Sequence, residues 1–274
     1  MILKTLVENT VVSDDFRGEH GLSLYLETMD HRILVDVGDS TLFAENAAKM
    51  QVDLTAVDTV VISHAHYDHG GGLKHFLTKN HHAMVYVSAH GFEDYYAKKA
   101  DGETKYIGLD KGLAKHPQIK LTGEREKISD ILELFSDVNG RKFFPKGNQV
   151  LFKEKNTALA PDTFAHEQNL VIREKGTYFL LAGCAHNGIV NIVDQYLSLY
   201  GDFPDFVISG FHLHNHSSNT DENPETVRRI GEALLKTGAV YYTSHCTGKA
   251  SFQILKEVMG DKIQYLATGS IIKF

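Results

Sequence analysis

At 274 residues and 42% hydrophobic content, the chain is long enough to bury a large core, as one sizeable domain or roughly two. Its formal charge of −7, from 28 basic and 35 acidic residues mixed along the sequence, provides no basic stripe for a phosphate backbone, so no nucleic acid partner is expected. Two cysteines, Cys184 and Cys246, are too few for a disulfide framework, and no stretch approaches the ~20 apolar residues of a membrane span. The expectation is a soluble chain in a reducing cytoplasm, with no membrane partner and with an oligomeric state that one sequence does not disclose.

In chain order, the first 90 residues read as strand, strand, helix, strand, loop, helix, strand. Leu22, Leu24 and Leu26 alternate with other residues, "RILVDVG" follows, and "TVVIS" is a short apolar run. Between them "STLFAENAAKM" sets Leu42, Phe43, Ala47 and Ala48 at helical spacing, with Asp39 or Ser40 as cap. From about Gly91 to Ala165 the pattern gives way to polar, Gly- and Lys-containing stretches, with one helix expected in "EKISDILELFSDV". This segment reads as a lid-like insertion into a single 1–274 domain. Beyond it "NLVIRE", "TYFLLAG", "DFVIS", "VYYTS" and "QYLA" are short β-rich runs. The helix "IVNIVDQYLSLYG" stops at Gly201, and "NPETVRRIGEALLKTG" starts on an Asn223 cap with Pro224 and stops at Gly238. "SFQILKEVMG" stops at Gly260. Two β-rich, helix-flanked halves fit an α/β, four-layer sandwich with sheets inside and helices outside.

The unusual number is 16 histidines, and they are not spread evenly. "VVISHAHYDHGGGLKHF" places His64, His66, Asp68 and His69 within six residues, directly after an apolar run. In extended backbone, residues two apart point the same way, so His64 and His66 present imidazoles to one ion. Asp68 and His69 follow at the turn into three glycines, which are expected to let the backbone bend sharply. Imidazole and carboxylate together suit divalent cations: zinc is the first choice, with iron or manganese as alternatives. Two ions about 3.5–4 Å apart would divide the ligands between them.

This stretch resembles the His-x-His-x-Asp-His signature of the metallo-β-lactamase superfamily, and "LVDVGDS" is similar to that superfamily's Asp-x-Gly strand end. "LLAGCAHNGIVNIVDQY", "VISGFHLH" and "YYTSHCTGKAS" resemble a narrower branch of metal-dependent hydrolases, one that includes the archaeal dihydropterin ribofuranosylaminobenzene 5'-phosphate synthase. The resemblance implies a metallo-β-lactamase-like αββα sandwich with His64, His66 and His186 on one metal and Asp68, His69 and His245 on the other. It implies Asp36 as the partner that orients ligands. Members usually carry a bridging Asp on a late strand end. Here Cys184 stands near the corresponding place, either as a thiolate ligand that bridges the metals or as a small buried residue.

Other candidates come from the residues alone. His212 follows a strand and Gly210-Phe211, so it reads either as a proton donor or anion-binding group or as part of a surface loop; for His214 and His216 the loop is preferred. His81 and His82 read as an exposed turn. His166 and Glu167 read either as residues that support the ligands from behind or, the preferred reading, as caps or exposed residues. If a helix begins after Gly248, the amides of Gly248, Lys249 and Ala250 form an anion seat, with ordinary helix entry as the alternative. Asp68 would orient a metal-bound water and His212 protonate a leaving group from a small, phosphorylated or otherwise anionic substrate. Three function classes follow: a hydrolase of esters or phosphoesters, a transferase condensing a dihydropterin diphosphate with ribofuranosylaminobenzene phosphate, and a redox or ligand-binding member.

Overall fold

A computed structural model describes residues 1–99, 101–216 and 218–274. Two compact units emerge from the internal contacts. One comprises Met1–Glu93, Ile107–Gly123 and Leu266–Phe274; the other comprises Asp94–Tyr106 and Glu124–Tyr265.

The first unit is built on a seven-stranded sheet in the order Ile271–Lys273, Ile2–Val7, Ser23–Glu27, Arg32–Val35, Thr59–Val61, Met84–Ser88, Ile119–Thr122. The first four strands pair antiparallel, and from Arg32–Val35 onward the pairing is parallel. That change explains the sequence pattern: Thr59, Val60 and Val61 are all buried, as parallel strands require, with no polar alternation. Ile2–Val7, whose apolar run is broken by Lys4, lies inside the sheet between two partners. The helix Leu42–Lys49 forms where expected, but Asn46 joins its buried face and Ala48 does not. The Asn46 amide is buried because it donates to the carbonyls of Leu6 and Arg17. Thr41 holds the cap position without a side-chain bond, and Ser40 Oγ instead accepts from the Leu42 amide at 3.1 Å.

The second unit carries another seven-stranded sheet, ordered Ile263–Tyr265, Val240–Thr243, Phe206–Ser209, Thr177–Leu181, Asn169–Glu174, Leu132–Phe135, Arg125–Lys127. Its first four strands are parallel and the rest antiparallel. Helices Ile189–Tyr200, Pro224–Leu235 and Lys249–Met259 supply the connections that parallel strands need. Most of their stop and start signals act as read, although the second helix ends at Leu235 with Lys236 as its cap, ahead of the expected stop at Gly238. Gly201 closes the first at φ 80°, and the Asn223 side chain accepts from the amides of Glu225 and Thr226. Phe135, Leu180, Tyr196, Phe211, Tyr241 and Leu255 lie in this unit's core, and each such buried side chain contributes about 1.5–3 kcal/mol through burial.

Two expectations fail between residues 91 and 165. The helix in "EKISDILELFSDV" is a hairpin, Arg125–Lys127 and Leu132–Phe135, and the second strand pairs with Asn169–Ile172. Cross-strand partners decide the outcome: Leu132 and Leu134 are buried while Glu133 reaches Arg125 and Arg173. The stretch is also less irregular than its composition suggests, because Tyr95–Lys98, Thr104–Tyr106, Leu151–Lys155 and Ala158–Pro161 form a four-stranded sheet in the second unit.

Candidate metal centre

In the first unit the parallel strand Thr59–Val61 runs out and delivers the histidine cluster, as open sheets do at strand carboxyl ends. His66 takes the N-cap position of a one-turn helix, Tyr67–Gly70, that carries Asp68 in its first turn and His69 just after. The His64 ring lies 4.6 Å from His66 and 4.0 Å from His69, centroid to centroid. All four candidate ligands are buried, with Asp68 the most exposed at 7%. Isolated polar side chains rarely occupy such a place without strong partners.

Those partners centre on Asp36. Its carboxylate is fully buried and accepts from the Ser63 amide, from Ser63 Oγ and from His69 Nδ1, at 2.7, 2.7 and 2.6 Å. Because Ser63 Oγ spends its hydrogen on Asp36, it can only accept from His64 Nδ1, 3.0 Å away. One carboxylate thus places a hydrogen on Nδ1 of both His64 and His69 and makes Nε2 the basic nitrogen of each ring. His69 Nε2 lies 3.6 Å from Asp68 Oδ2, so the oriented nitrogen faces a carboxylate oxygen. Asp36 holds φ at 58°, a left-handed conformation that Asp tolerates better than most residues. His20, absent from the sequence-level candidates, places Nε2 3.3 Å from Asp68 Oδ2.

The three glycines act differently from the expectation. Gly71 has φ −62° and Gly72 φ −73°, right-handed values open to any residue. At Gly71 the requirement is close approach, since a Cβ there would overlap the Asp39 carbonyl oxygen and lie 2.7 Å from that of Tyr67.

In the second unit, three neighbouring parallel strands end together: Thr177–Leu181, Phe206–Ser209 and Val240–Thr243. The turns after them carry Cys184 and His186, then His212, then His245 and Cys246. Ala185, His212 and His245 hold φ at 55°, 49° and 51°. Left-handed conformations at non-glycine residues cost stability and concentrate where a ligand or reaction requires a fixed geometry. The ligating atoms of Cys184, His186 and His212 lie within 4.8 Å of one another, as do those of Cys184, His245 and Cys246.

His186 is oriented by Asn148, which sequence reasoning missed. The Asn148 amide donates Nδ2 to the His186 carbonyl at 2.7 Å, so its Oδ1 faces His186 Nδ1 at 2.9 Å and fixes that nitrogen as the protonated one. Glu167 is buried, against the preferred reading as a cap or exposed residue and in keeping with the alternative of a residue that supports a ligand from behind. It accepts from the amides of His186 and Asn187 and from Asn187 Nδ2, at 2.6, 3.0 and 2.9 Å. Burial pushes the Glu167 carboxyl up, and those bonds pull against it. His166 is also buried, beside Asp162 at 3.0 Å. For the Cys246 thiol, burial favours the neutral form, but the Cys184 thiol and the His212 and His245 rings outweigh it and hold the thiol well below its usual value.

His212 is half-buried with its ring 4.1 Å from that of His186, while His214 pairs with Asp221 at 2.8 Å and His216 is exposed. A cavity of about 220 Å³ opens beside His212, its wall including Lys146, Gln149, Asn215, Asp221 and Glu222. The helix entry at Gly248 faces a carboxylate from this same region: a Cβ there would lie 2.5 Å from His214 Cβ and 3.4 Å from Asp221 Oδ1. Lys249 and Ala250 are exposed, and so are His81 and His82.

The profile of the metallo-β-lactamase superfamily matches residues 17–187, a span that includes Asp36, the His64–His69 cluster, Cys184 and His186. The chain belongs to the metallo-β-lactamase superfamily. It is 27% identical over 273 residues to an uncharacterised protein of Methanocaldococcus jannaschii, covering 99% of both chains. It is also 27% identical to 7,8-dihydropterin-6-methyl-4-(beta-D-ribofuranosyl)-aminobenzene-5'-phosphate synthase of the same organism, covering 94% of this chain and 91% of that one. Among solved structures, a metal-dependent hydrolase of the β-lactamase superfamily superposes with a TM-score of 0.83 at 26% identity, covering 100% of this chain and 99% of the other. The α/β sandwich class expected from the sequence is therefore the fold of this metallo-β-lactamase member.

The donors present fit divalent ions. Buried imidazoles with assigned tautomers, a carboxylate and thiols are metal-ligand types, and a divalent charge would balance carboxylates that are otherwise costly to bury. Among the described residues no helix is long and apolar enough to cross a membrane.

Proposed function

We propose that this metallo-β-lactamase superfamily member is a metal-dependent hydrolase that acts on a small, anionic ester or phosphoester. In this reading His64, His66, Asp68 and His69 of the first unit and His186 and His245 of the second are ligands to divalent ions, with zinc the favoured metal. The observation that carries the proposal is the orientation of imidazoles in each unit: Asp36 sets His64 and His69, and Asn148 sets His186, each with Nδ1 protonated and Nε2 basic. Such arrangements recur around metal-bound histidines.

Bound divalent ions supply Lewis acidity and lower the pKa of water toward neutrality. The chain's own residues do the rest. Asp68, beside His20 at 3.3 Å, orients the attacking water and holds its proton. His212, next to His186 and the cavity, donates a proton to the leaving group. Asp36 and Glu167 act through others, by holding rings and backbone in place.

A transferase reading is supported by a specific finding, the 27% identity over nearly the whole chain to the dihydropterin synthase. There the same centre would bind a diphosphate leaving group while an aromatic ring attacks the methylene carbon. The test is turnover on a panel of phosphodiesters, lactones and esters beside a dihydropterin diphosphate condensation assay. Hydrolysis abolished by Asp68→Asn without loss of fold supports the first reading. Condensation alone supports the second, and an Asp68→Asn variant with full activity refutes the role given to Asp68.

A further inference from the structure

We propose that Cys184 and Cys246, together with His245, form a thiolate-rich ligand set for one divalent ion, so that the centre takes sulfur as well as nitrogen and oxygen. The proposal rests on the reading of His245 as a ligand and adds two donors that reading does not use. Cys184 leaves the strand Thr177–Leu181 and Cys246 the strand Val240–Thr243, 62 residues later, yet their sulfurs and a His245 ring nitrogen lie within 4.8 Å of one another. Three such donors around one zinc, at about 2.3 Å to sulfur and 2.0–2.1 Å to nitrogen, sit roughly 3.3–3.8 Å apart, so closure needs movements of about an ångström or less.

Three features set this apart from two thiols filling space. The His212 backbone amide donates to Cys246 Sγ at 3.2 Å, and a hydrogen bond to sulfur stabilises the thiolate, the form that binds metals. Gly210 makes room for that sulfur, since a Cβ at this position would lie 2.5 Å from it. Ala185 and His245, each adjacent to one of the cysteines, are held in left-handed backbone, which buried thiols acting as small apolar groups would not require. Two thiolates and a neutral imidazole also bring a divalent ion to zero net charge, which suits a site where Cys184 is 3% and Cys246 5% exposed. The chemistry is selective: soft sulfur donors favour zinc, and with it cobalt or cadmium, over manganese or magnesium.

The experiment uses the full chain, stripped of metal under reducing, oxygen-free conditions and titrated with Co²⁺. The proposal expects visible ligand-field bands together with a near-ultraviolet sulfur-to-cobalt charge-transfer band. That band should fall by about half in Cys184→Ser and in Cys246→Ser and vanish in the double variant, with the ligand-field bands retained. Serine keeps the side-chain volume, and the wild-type spectrum serves if a variant fails to fold. Cobalt bound without a charge-transfer band, or a band insensitive to Cys246→Ser, overturns the thiolate set while leaving a nitrogen and oxygen centre standing. No cobalt binding at all overturns the metal-centre reading itself.

Discussion

Replacing Asp36 by Asn probes the hydrogen-bond relay that sets the first unit's histidines. The side chain keeps its size, and Asn tolerates the φ of 58° at this position as well as Asp does. In the wild type one carboxylate accepts three donors, Ser63 N, Ser63 Oγ and His69 Nδ1, within 2.7 Å. An amide cannot accept all three. If its oxygen keeps the Ser63 amide, its NH2 points at Ser63 Oγ and His69 Nδ1, which drives the His69 hydrogen to Nε2, the nitrogen facing Asp68. If it flips, NH2 opposes the Ser63 N–H, and an unpaired buried donor costs about 1–3 kcal/mol. Loss of a ligand-orienting partner typically weakens metal affinity 10–100-fold, or about 1.4–2.8 kcal/mol. Competition titration with Zn²⁺ measures the affinity, and ring ¹⁵N shifts of His69 report the tautomer. An Asn variant with wild-type zinc affinity and Nδ1-protonated His69 would refute the reasoning.

Two further substitutions test the second unit. Glu167→Ala leaves three buried donors, on His186 and Asn187, without their acceptor, and the relief of a carboxyl already pushed up by burial offsets part of the loss. The expected cost is about 2–5 kcal/mol, a Tm lower by roughly 5–15 °C in a thermal scan, and a change below about 2 °C contradicts the role assigned. Glu133 tests the electrostatics at the hairpin: burial raises its carboxyl, but Arg125 and Arg173 outweigh that and hold it below its ordinary value of 4.5. Its stabilising contribution is therefore complete above pH 4.5 and fades as pH falls through the lowered value. Glu133→Gln should flatten the acid limb of a stability–pH curve by less than about 1 kcal/mol while leaving the metal affinity unchanged, and an unaltered acid limb would show that the pair contributes nothing.

Legibility in the sequence followed the range of the interactions involved. The cluster His64–His69 was readable because its spacing alone forces convergence, and the helix ends at Gly201 and Asn223-Pro224 were readable because capping is local. The hairpin at Leu132–Phe135 was not, since Ile128, Ile131, Leu132 and Phe135 also satisfy helical spacing and the outcome is set by pairing with Asn169–Ile172. Asn148 escaped, and Glu167 was legible only as the less favoured of two readings, for a related reason. They act on His186 from 38 and 19 residues upstream, and a polar residue that finds its partner only after folding leaves no periodic mark. His20, one residue before Gly21, meets Asp68 where the two backbones pack closely, a long-range approach that leaves no local mark: a Cβ at Gly21 would lie 2.6 Å from the Asp68 carbonyl oxygen.

The central claim is that oriented histidines and Asp68 hold two divalent ions. Elemental analysis of protein purified without chelator and then reconstituted tests it directly. The account predicts about two ions per chain, with zinc favoured, falling toward one in His69→Ala. Fewer than one ion per chain after reconstitution would contradict it.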